Sequence, residues 1–323
     1  MQSSHMRRIK QLFAVIVCLG AALWLANTNA FVSLPADQQP KLIAHRGIHQ
    51  IYAGNDRNAD TCTANPVMPM AHPFIANTIA SIEASFDAGA DVVEVDVHLT
   101  TDDQFAVFHD WTLDCQTDGT GVTHKQDMAY LRGLDLGYGY TSDGETYPLR
   151  GTAVGRMPTL TEVFETVPDG RFLVNFKSNR PESGDVLVDR FHQTEAPIWG
   201  VYGGGPPTSG AMNSSDWTGF SRQTLKACLF RYALTGWTGR APAVCADMTV
   251  AVPMDYAPYL WGWPHKFTRR MHAVRTEVIL WGPYDGSGFS SGVDDLETLA
   301  RVPVQFDGYI WTNRIEVIGP ALR

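Results

Sequence analysis

The sequence predicts an α/β barrel of parallel βα units, and three observations predict it. Short apolar runs alternate with helical patterns along most of the chain, as strands joined by crossover helices would. About eight such runs occur, the number that closes a parallel sheet into a barrel. Several of them run straight into polar clusters, and barrel chemistry sits at the carboxyl ends of strands. A composition of 44% hydrophobic and 18% charged residues permits a large folded core.

The N-terminus stands outside that pattern. Residues 1–5 (MQSSH) precede a second Met and read as a cloning remnant. Residues 6–30 read as a signal peptide or an N-terminal membrane anchor. Arg7, Arg8 and Lys10 precede the uncharged run LFAVIVCLGAALWLA, and Thr28-Asn29-Ala30 offers a cleavage site after Ala30. The fifteen-residue run has secretory length, whereas a spanning helix takes about 20 residues. Either way the basic residues hold the N-terminus in the cytoplasm. Residues 31–323 are then an exported domain, periplasmic or anchored in the inner membrane and facing the periplasm. Its 323 − 30 = 293 residues suit one barrel of typically about 250 residues plus insertions.

The elements follow in order. Residues 42–44 form a strand that delivers His45-Arg46-Gly47. Residues 79–88 carry a helical period through Ile79, Ile82 and Phe86, with Gly89 as the stop. Residues 91–99 (DVVEVDVHL) form a strand, residues 106–108 lead into His109-Asp110, and residues 172–176 lead into Lys177. Further strands are expected at 198–202, 225–230, 274–281 and 308–311. Residues 48–75, polar and rich in Asn and Pro, and residues 111–156, with Gly at intervals, read as excursions over the barrel mouth.

Four of the five cysteines, Cys62, Cys115, Cys228 and Cys245, fall in the exported part. An even number in an oxidising compartment suggests two disulfides, with three connectivities open. Cys228 with Cys245 is the simplest pair and leaves Cys62 with Cys115; free buried thiols are the alternative.

Charge narrows the ligand. Lys plus Arg is 25 against 34 for Asp plus Glu, a net −9, which argues against nucleic acid as a partner. A phosphate ligand would need a metal ion or a local cluster of cations. Glu94 and Asp96 are two apart on a strand, so both carboxylates project to one side, and paired anions call for a cation such as Mg²⁺ or Ca²⁺. His45 and His109 each close an apolar run, which brings two imidazoles to the same rim, where one can act as base and the other as acid.

These residues carry a family resemblance. LIAHRG, then NTIASIEASFDAGADVVEVDVHLTTDD, then FAVFHDWTLDCQTDGTG, followed by MPTLTEVF, NFK and GYIWTN, resemble the glycerophosphodiester phosphodiesterase family over nearly the whole exported chain. The resemblance implies a TIM (β/α)8 barrel with a small insertion after the second strand, here with a long first βα loop. It implies catalytic roles for His45 and His109, phosphate binding by Arg46 and Lys177, and metal ligation by Glu94 and Asp96. The implied reaction is metal-dependent hydrolysis of glycerophosphodiesters to sn-glycerol 3-phosphate and an alcohol through a cyclic phosphate, with one Mg²⁺ or Ca²⁺ as cofactor.

Three departures from the family stand out. Asn175 replaces the usual Glu of a Glu-x-Lys, so a third metal ligand becomes a neutral amide. Ala76 replaces a Glu before Asn77-Thr78, and Cys115 occupies an often basic position, which favours a disulfide there. The poorly matched segment, residues 181–270, should hold substrate choice. Its APYLWGWPHK, followed by Arg269 and Arg270, suits contact with a lipid or a membrane surface. Trp281 and Trp311, at strand ends, would wall the pocket, with Trp311 touching substrate. A lysophospholipase D activity on lysophospholipids and a catalytically silent phosphate or lipid-headgroup binder are the alternatives.

Overall fold

The computed structural model describes residues 2–54, 61–284, 286 and 291–323. Its strands are β1 (Lys41–His45), β2 (Val92–Leu99), β3 (Phe105–Val107), β4 (Phe172–Phe176), β5 (Ile198–Gly203), β6 (Thr218–Ser221), β7 (Thr249–Pro253), β8 (Glu277–Trp281) and β9 (Tyr309–Thr312). Eight of them form a parallel sheet in the order β6-β5-β4-β2-β1-β9-β8-β7. Its two outer strands are bridged by a hydrogen bond between the Thr218 and Thr249 hydroxyls at 2.9 Å, so the sheet curls into a nearly closed barrel. The helices are α1 (Gln2–Asn27), α2 (Ile79–Asp87), α3 (Met128–Arg132), α4 (Leu160–Thr166), α5 (Glu182–Phe191), α6 (Gly205–Ser214), α7 (Arg222–Thr235), α8 (His265–His272), α9 (Leu296–Ala300) and α10 (Ile315–Leu322).

The barrel strands are buried because both faces are covered, one by the barrel interior and one by helices. All eight residues of β2 are buried, Glu94 and Asp96 included. Local chemistry explains the crossovers. Thr78 caps α2 through the Ser81 N–H, and Gly89 supplies the left-handed turn (φ +101°) that leads into β2. Thr159 and Glu162 form a reciprocal capping box at α4.

Three expectations are corrected. The run 225–230 is not a strand but the middle of α7. A capping box of Ser221 and Thr224 starts that helix, and Cys228 and Tyr232, four residues apart, make its buried stripe. Two strands were not foreseen, β6 (TGFS) and β7 (TVAVP), both too short to show a period. The strand expected from residue 274 begins at Glu277, because Val274–Thr276 form the turn that leaves α8, with Arg275 at φ +56°.

The insertion follows β2. β3 returns antiparallel to β2, pairing Val97 with Val107, and starts the excursion. The two excursions are not independent loops. Val67, Ile75, Phe108, Leu131, Tyr140 and Met157 belong to a second hydrophobic core, separate from the barrel's. Backbone bonds from the Val67 N–H to the Thr141 carbonyl (2.9 Å) and from the Thr141 N–H to the Ala64 carbonyl (3.1 Å) join the excursions, and a Cys62–Cys115 disulfide staples them. A second disulfide, Cys228–Cys245, ties α7 to the turn before β7 and so spans the outside of the β6/β7 seam.

Candidate active site

Sheet register builds the site. His45 pairs with Glu94 across β1 and β2, so their side chains point to the same side. Asp96 pairs with Asn175, and Asn175 with Tyr202, across β2, β4 and β5. In a parallel sheet such register neighbours project to the same side. The predicted E-x-D pair is thus flanked by an imidazole on one side and an amide and a phenol on the other.

Asp96 is the hub. Its Oδ1 lies 3.3 Å from Lys177 Nζ and accepts from Asn175 Nδ2 at 2.8 Å. Its Oδ2 lies 3.1 Å from Arg46 Nε and accepts from Asn77 Nδ2 at 2.9 Å. Burial works to raise the Asp96 pKa, but Lys177 and Arg46 outweigh it and hold the carboxyl well below the usual range. Glu94 is compensated less. Its Oε1 accepts from the Tyr202 hydroxyl at 2.7 Å and its Oε2 from the Arg46 N–H at 3.2 Å. Burial and the neighbouring Asp96 raise its pKa.

Both imidazoles are held through Nδ1. His45 Nδ1 lies 2.6 Å from Asn313 Oδ1. The Asn313 amide is itself oriented, because its Nδ2 donates to Asp294 Oδ2 at 2.8 Å. Only oxygen is then left to face His45, so His45 carries its proton on Nδ1 and presents a basic Nε2. His109 Nδ1 lies 2.7 Å from Asp110 Oδ1, which gives the same tautomer. Burial, then the Arg46 charge, lowers both imidazole pKa values, that of His109 to about 4. Both rings are therefore neutral at pH 7.

The other expected residues fall as follows. Trp311 is fully buried beneath His45, ring centroids 4.9 Å apart, and Trp281 stands beside it at 6.2 Å. Asn175 is on the site but turns its N–H groups to Asp96 and to the Tyr202 oxygen, at 2.8 and 3.0 Å. Its Oδ1 faces Gly203, where a Cβ would collide with it. Five residues escaped the sequence reading. Asn77, Asp110 and Asn313 sit inside quoted motif segments without an assigned role; Tyr202 and Asp294 gave no sequence signal.

Backbone geometry serves the same centre. Arg46 (φ +62°), Gly47 (φ +76°) and Asn77 (φ +61°) all adopt left-handed conformations. At Gly47 a Cβ would strike Ser81, so only Gly fits that close approach.

A divalent cation fits the carboxylate pair, since Glu94 is fully buried and short of positive charge. Asp96, already met by two amide donors and two cations, would share its oxygens with such an ion. Among the described residues no third His, Cys, Asp or Glu joins the two to complete a cluster.

Fold and site together define a parallel α/β barrel with an imidazole–carboxylate centre at the carboxyl ends of its strands. Residues 45–187 match the model of the Glycerophosphoryl diester phosphodiesterase family. A glycerophosphodiester phosphodiesterase from Caldanaerobacter subterraneus is 40% identical over 34% of this chain and 41% of its own length. A human lysophospholipase D is 28% identical over 39% of this chain and 40% of its own. The chain thus aligns with about two fifths of these relatives. Among solved structures, a glycerophosphoryl diester phosphodiesterase domain from Mycobacterium tuberculosis has a TM-score of 0.62 at 16% identity, covering 88% of this chain and 100% of that one. An Oleispira antarctica phosphodiesterase, solved with the product sn-glycerol-3-phosphate, has a TM-score of 0.51 at 18% identity over 86% and 94% of the two chains. These structural likenesses bear out the barrel.

Proposed function

We propose that this chain hydrolyses glycerophosphodiesters to sn-glycerol 3-phosphate and an alcohol, by imidazole acid–base catalysis at the Asp96 centre. The observation that carries the reading is the convergence of two Nδ1-anchored imidazoles, two buried carboxylates and two cations on one barrel rim. The match of residues 45–187 to the Glycerophosphoryl diester phosphodiesterase family model supports the same reaction.

Arg46 and Lys177 bind the phosphate oxygens, the guanidinium fork and the ammonium replacing the water lost on entry. One of His45 and His109, neutral at pH 7, takes the proton of the glycerol 2-hydroxyl as its oxygen attacks phosphorus. The bond to the leaving oxygen breaks, and the other imidazole donates a proton to that alkoxide. The bound phosphate anion raises the imidazole pKa, which lets a ring with an acid-shifted value serve as the acid. A cyclic phosphate results, and water opens it by the reverse proton transfers. A divalent ion, Mg²⁺ or Ca²⁺, bound by Glu94 and Asp96 with Asn175 beside them, would supply charge stabilisation to the phosphate oxygens. Asp294, through Asn313, and Asp110 keep the two rings in the productive tautomer. Export across a membrane, led by α1, is part of the same proposal.

The test is turnover of glycerophosphocholine by the purified full chain with Mg²⁺ or Ca²⁺, read as glycerol 3-phosphate. His45→Ala or His109→Ala should each reduce kcat by about 10²-fold or more. No product with either metal would overturn the proposal and leave a phosphate-binding protein.

A further inference from the structure

The two disulfides differ in exposure and in what they touch. Cys228 and Cys245 are fully buried in the barrel's core, whereas Cys62 and Cys115 are half-buried at the edge of the second core. Thiol–disulfide exchange needs a thiolate to reach a sulfur, so the half-buried bond is the one that opens first under a mild reductant.

That bond adjoins a contact with the catalytic centre. Thr63, next to Cys62, donates from its hydroxyl to Asp110 Oδ1 at 3.1 Å. The same Asp110 oxygen lies 2.7 Å from His109 Nδ1. Asp110 Oδ2 is buried and has no partner. The Asp110 carbonyl accepts from the Thr123 hydroxyl at 2.9 Å, which restrains the backbone and leaves the carboxylate free to turn. Among the described residues, therefore, Thr63 is the one group besides His109 that fixes the direction of this carboxylate. Thr63 also lines a small cavity, of about 90 Å³, with His45, Arg46 and His49. It is held from two sides. On one, the Ala64 carbonyl accepts from the Thr141 N–H at 3.1 Å. On the other, Cys62 is bonded to Cys115, which follows Asp110 in the chain, with Cα atoms 5.7 Å apart. The disulfide thus clamps the segment bearing Thr63 onto the segment bearing Asp110.

We propose, on the basis of the phosphodiesterase reading above, that Thr63 is a positioning residue for His109 and that the Cys62–Cys115 bond switches it. With the bond closed, the Thr63 hydroxyl pins Asp110, and Asp110 keeps His109 in the tautomer that presents Nε2 to substrate. With the bond open, the two segments separate, Asp110 turns, and the ring loses its fixed direction. Closure is a thiol–disulfide exchange. The Cys62 and Cys115 thiols give up two electrons and two protons as their S–S bond forms, and the disulfide of an oxidised thiol partner breaks to give two thiols. A chain in a reducing compartment carries an incomplete acid–base pair, and an oxidising compartment completes it.

The experiment measures glycerophosphocholine turnover by the full chain with Mg²⁺ or Ca²⁺ across ratios of reduced to oxidised glutathione. Alkylation and peptide mass spectrometry report which thiols are free. Expected is a fall in kcat of about tenfold or more as Cys62 and Cys115 become alkylated, with KM changing less than about twofold, since Arg46 and Lys177 still bind the phosphate. Reoxidation of unalkylated chain restores the rate, and Cys228 and Cys245 stay protected throughout. An open Cys62–Cys115 bond with undiminished kcat, or a Cys228–Cys245 bond that opens first, overturns the switch. No turnover by the oxidised chain overturns the phosphodiesterase reading instead. Thr63→Val, which keeps the shape and removes the hydroxyl, should lower the kcat of the oxidised chain by the same factor, and Thr63→Ser should restore most of it. An unchanged kcat in Thr63→Val, or a rise in KM alone, overturns the positioning role. Reduction should lower the kcat of Thr63→Val little further, because both changes remove one contact. A full second loss would mean that the disulfide acts by another route and overturns its link to Thr63.

Discussion

At the scale of single residues, the site depends on neutral amides that orient charges. Asn77 gives Asp96 two bonds, one from Nδ2 and one to the Asp96 N–H through Oδ1 at 3.1 Å, while holding φ +61°. Asn77→Ala should therefore lose about 2 to 4 kcal/mol of stability in denaturant unfolding, from a buried charged hydrogen bond plus left-handed strain. Asn77→Gly keeps the backbone free and should lose about 1 kcal/mol less; equal losses would mean that the backbone conformation contributes nothing. Asn175 invites the opposite change. Asn175→Glu restores a third anion beside Glu94 and Asp96, and calorimetric titration should show divalent-ion affinity rising by about tenfold or more. The residue roles were half legible in the sequence. An E-x-D spacing and histidines at strand ends are visible because period two fixes the side on which they fall. Tyr202 and Asp294 were invisible, because their partners, Glu94 and Asn313, are respectively 108 and 19 residues away in sequence.

At the scale of elements, the two excursions form a unit with its own core, and the Cys62–Cys115 link closes a separation of 53 residues across it. Loop-closure entropy for that length is worth about 4 kcal/mol, against about 3 for the 17-residue separation of Cys228 and Cys245. Cys115→Ser should consequently lower stability by about 2 to 4 kcal/mol, and hydrogen exchange should show the loss concentrated in residues 106–157 rather than in the barrel strands. Uniform deprotection would show that the excursions and barrel unfold as one. Long periodic elements such as α2 and β2 could be read from the sequence. The apolar run in α7 reads as a strand from sequence because a short apolar window looks the same in either geometry. What decided it was Ser221–Thr224 capping and burial of Cys228 against the turn before β7, both properties of the folded chain.

At the scale of the whole molecule, the buried histidines couple stability to pH. Burial lowers His49 to about 4, His98 to about 3 and His109 to about 4, each below the ordinary value near 6.5. As pH falls below that value the unfolded chain binds protons that the folded chain refuses. The stability contributed by these groups is thus complete above about pH 6.5 and is lost on acidification, by about 1.4 kcal/mol per pH unit for each histidine. Glu94, raised by burial and by Asp96, acts in the opposite direction, but it is one group against several. Denaturant midpoints of the chelator-treated protein should fall from pH 7 to pH 4, and His98→Gln should flatten the slope. A midpoint independent of pH would mean the imidazoles are hydrated. His98, whose Nδ1 has no partner, is the most direct probe.

By itself the sequence determined the barrel class, the E-x-D pair, the two strand-end histidines and the apolar N-terminal segment, since each rests on local periodicity or contiguous composition. Only the tertiary structure decided which groups meet: the two amides and two cations on Asp96, the relay from Asp294 to His45, and the shared core of the excursions. Those contacts are made between elements far apart in the chain, so sheet register and helix packing, not neighbouring residues, choose the partners.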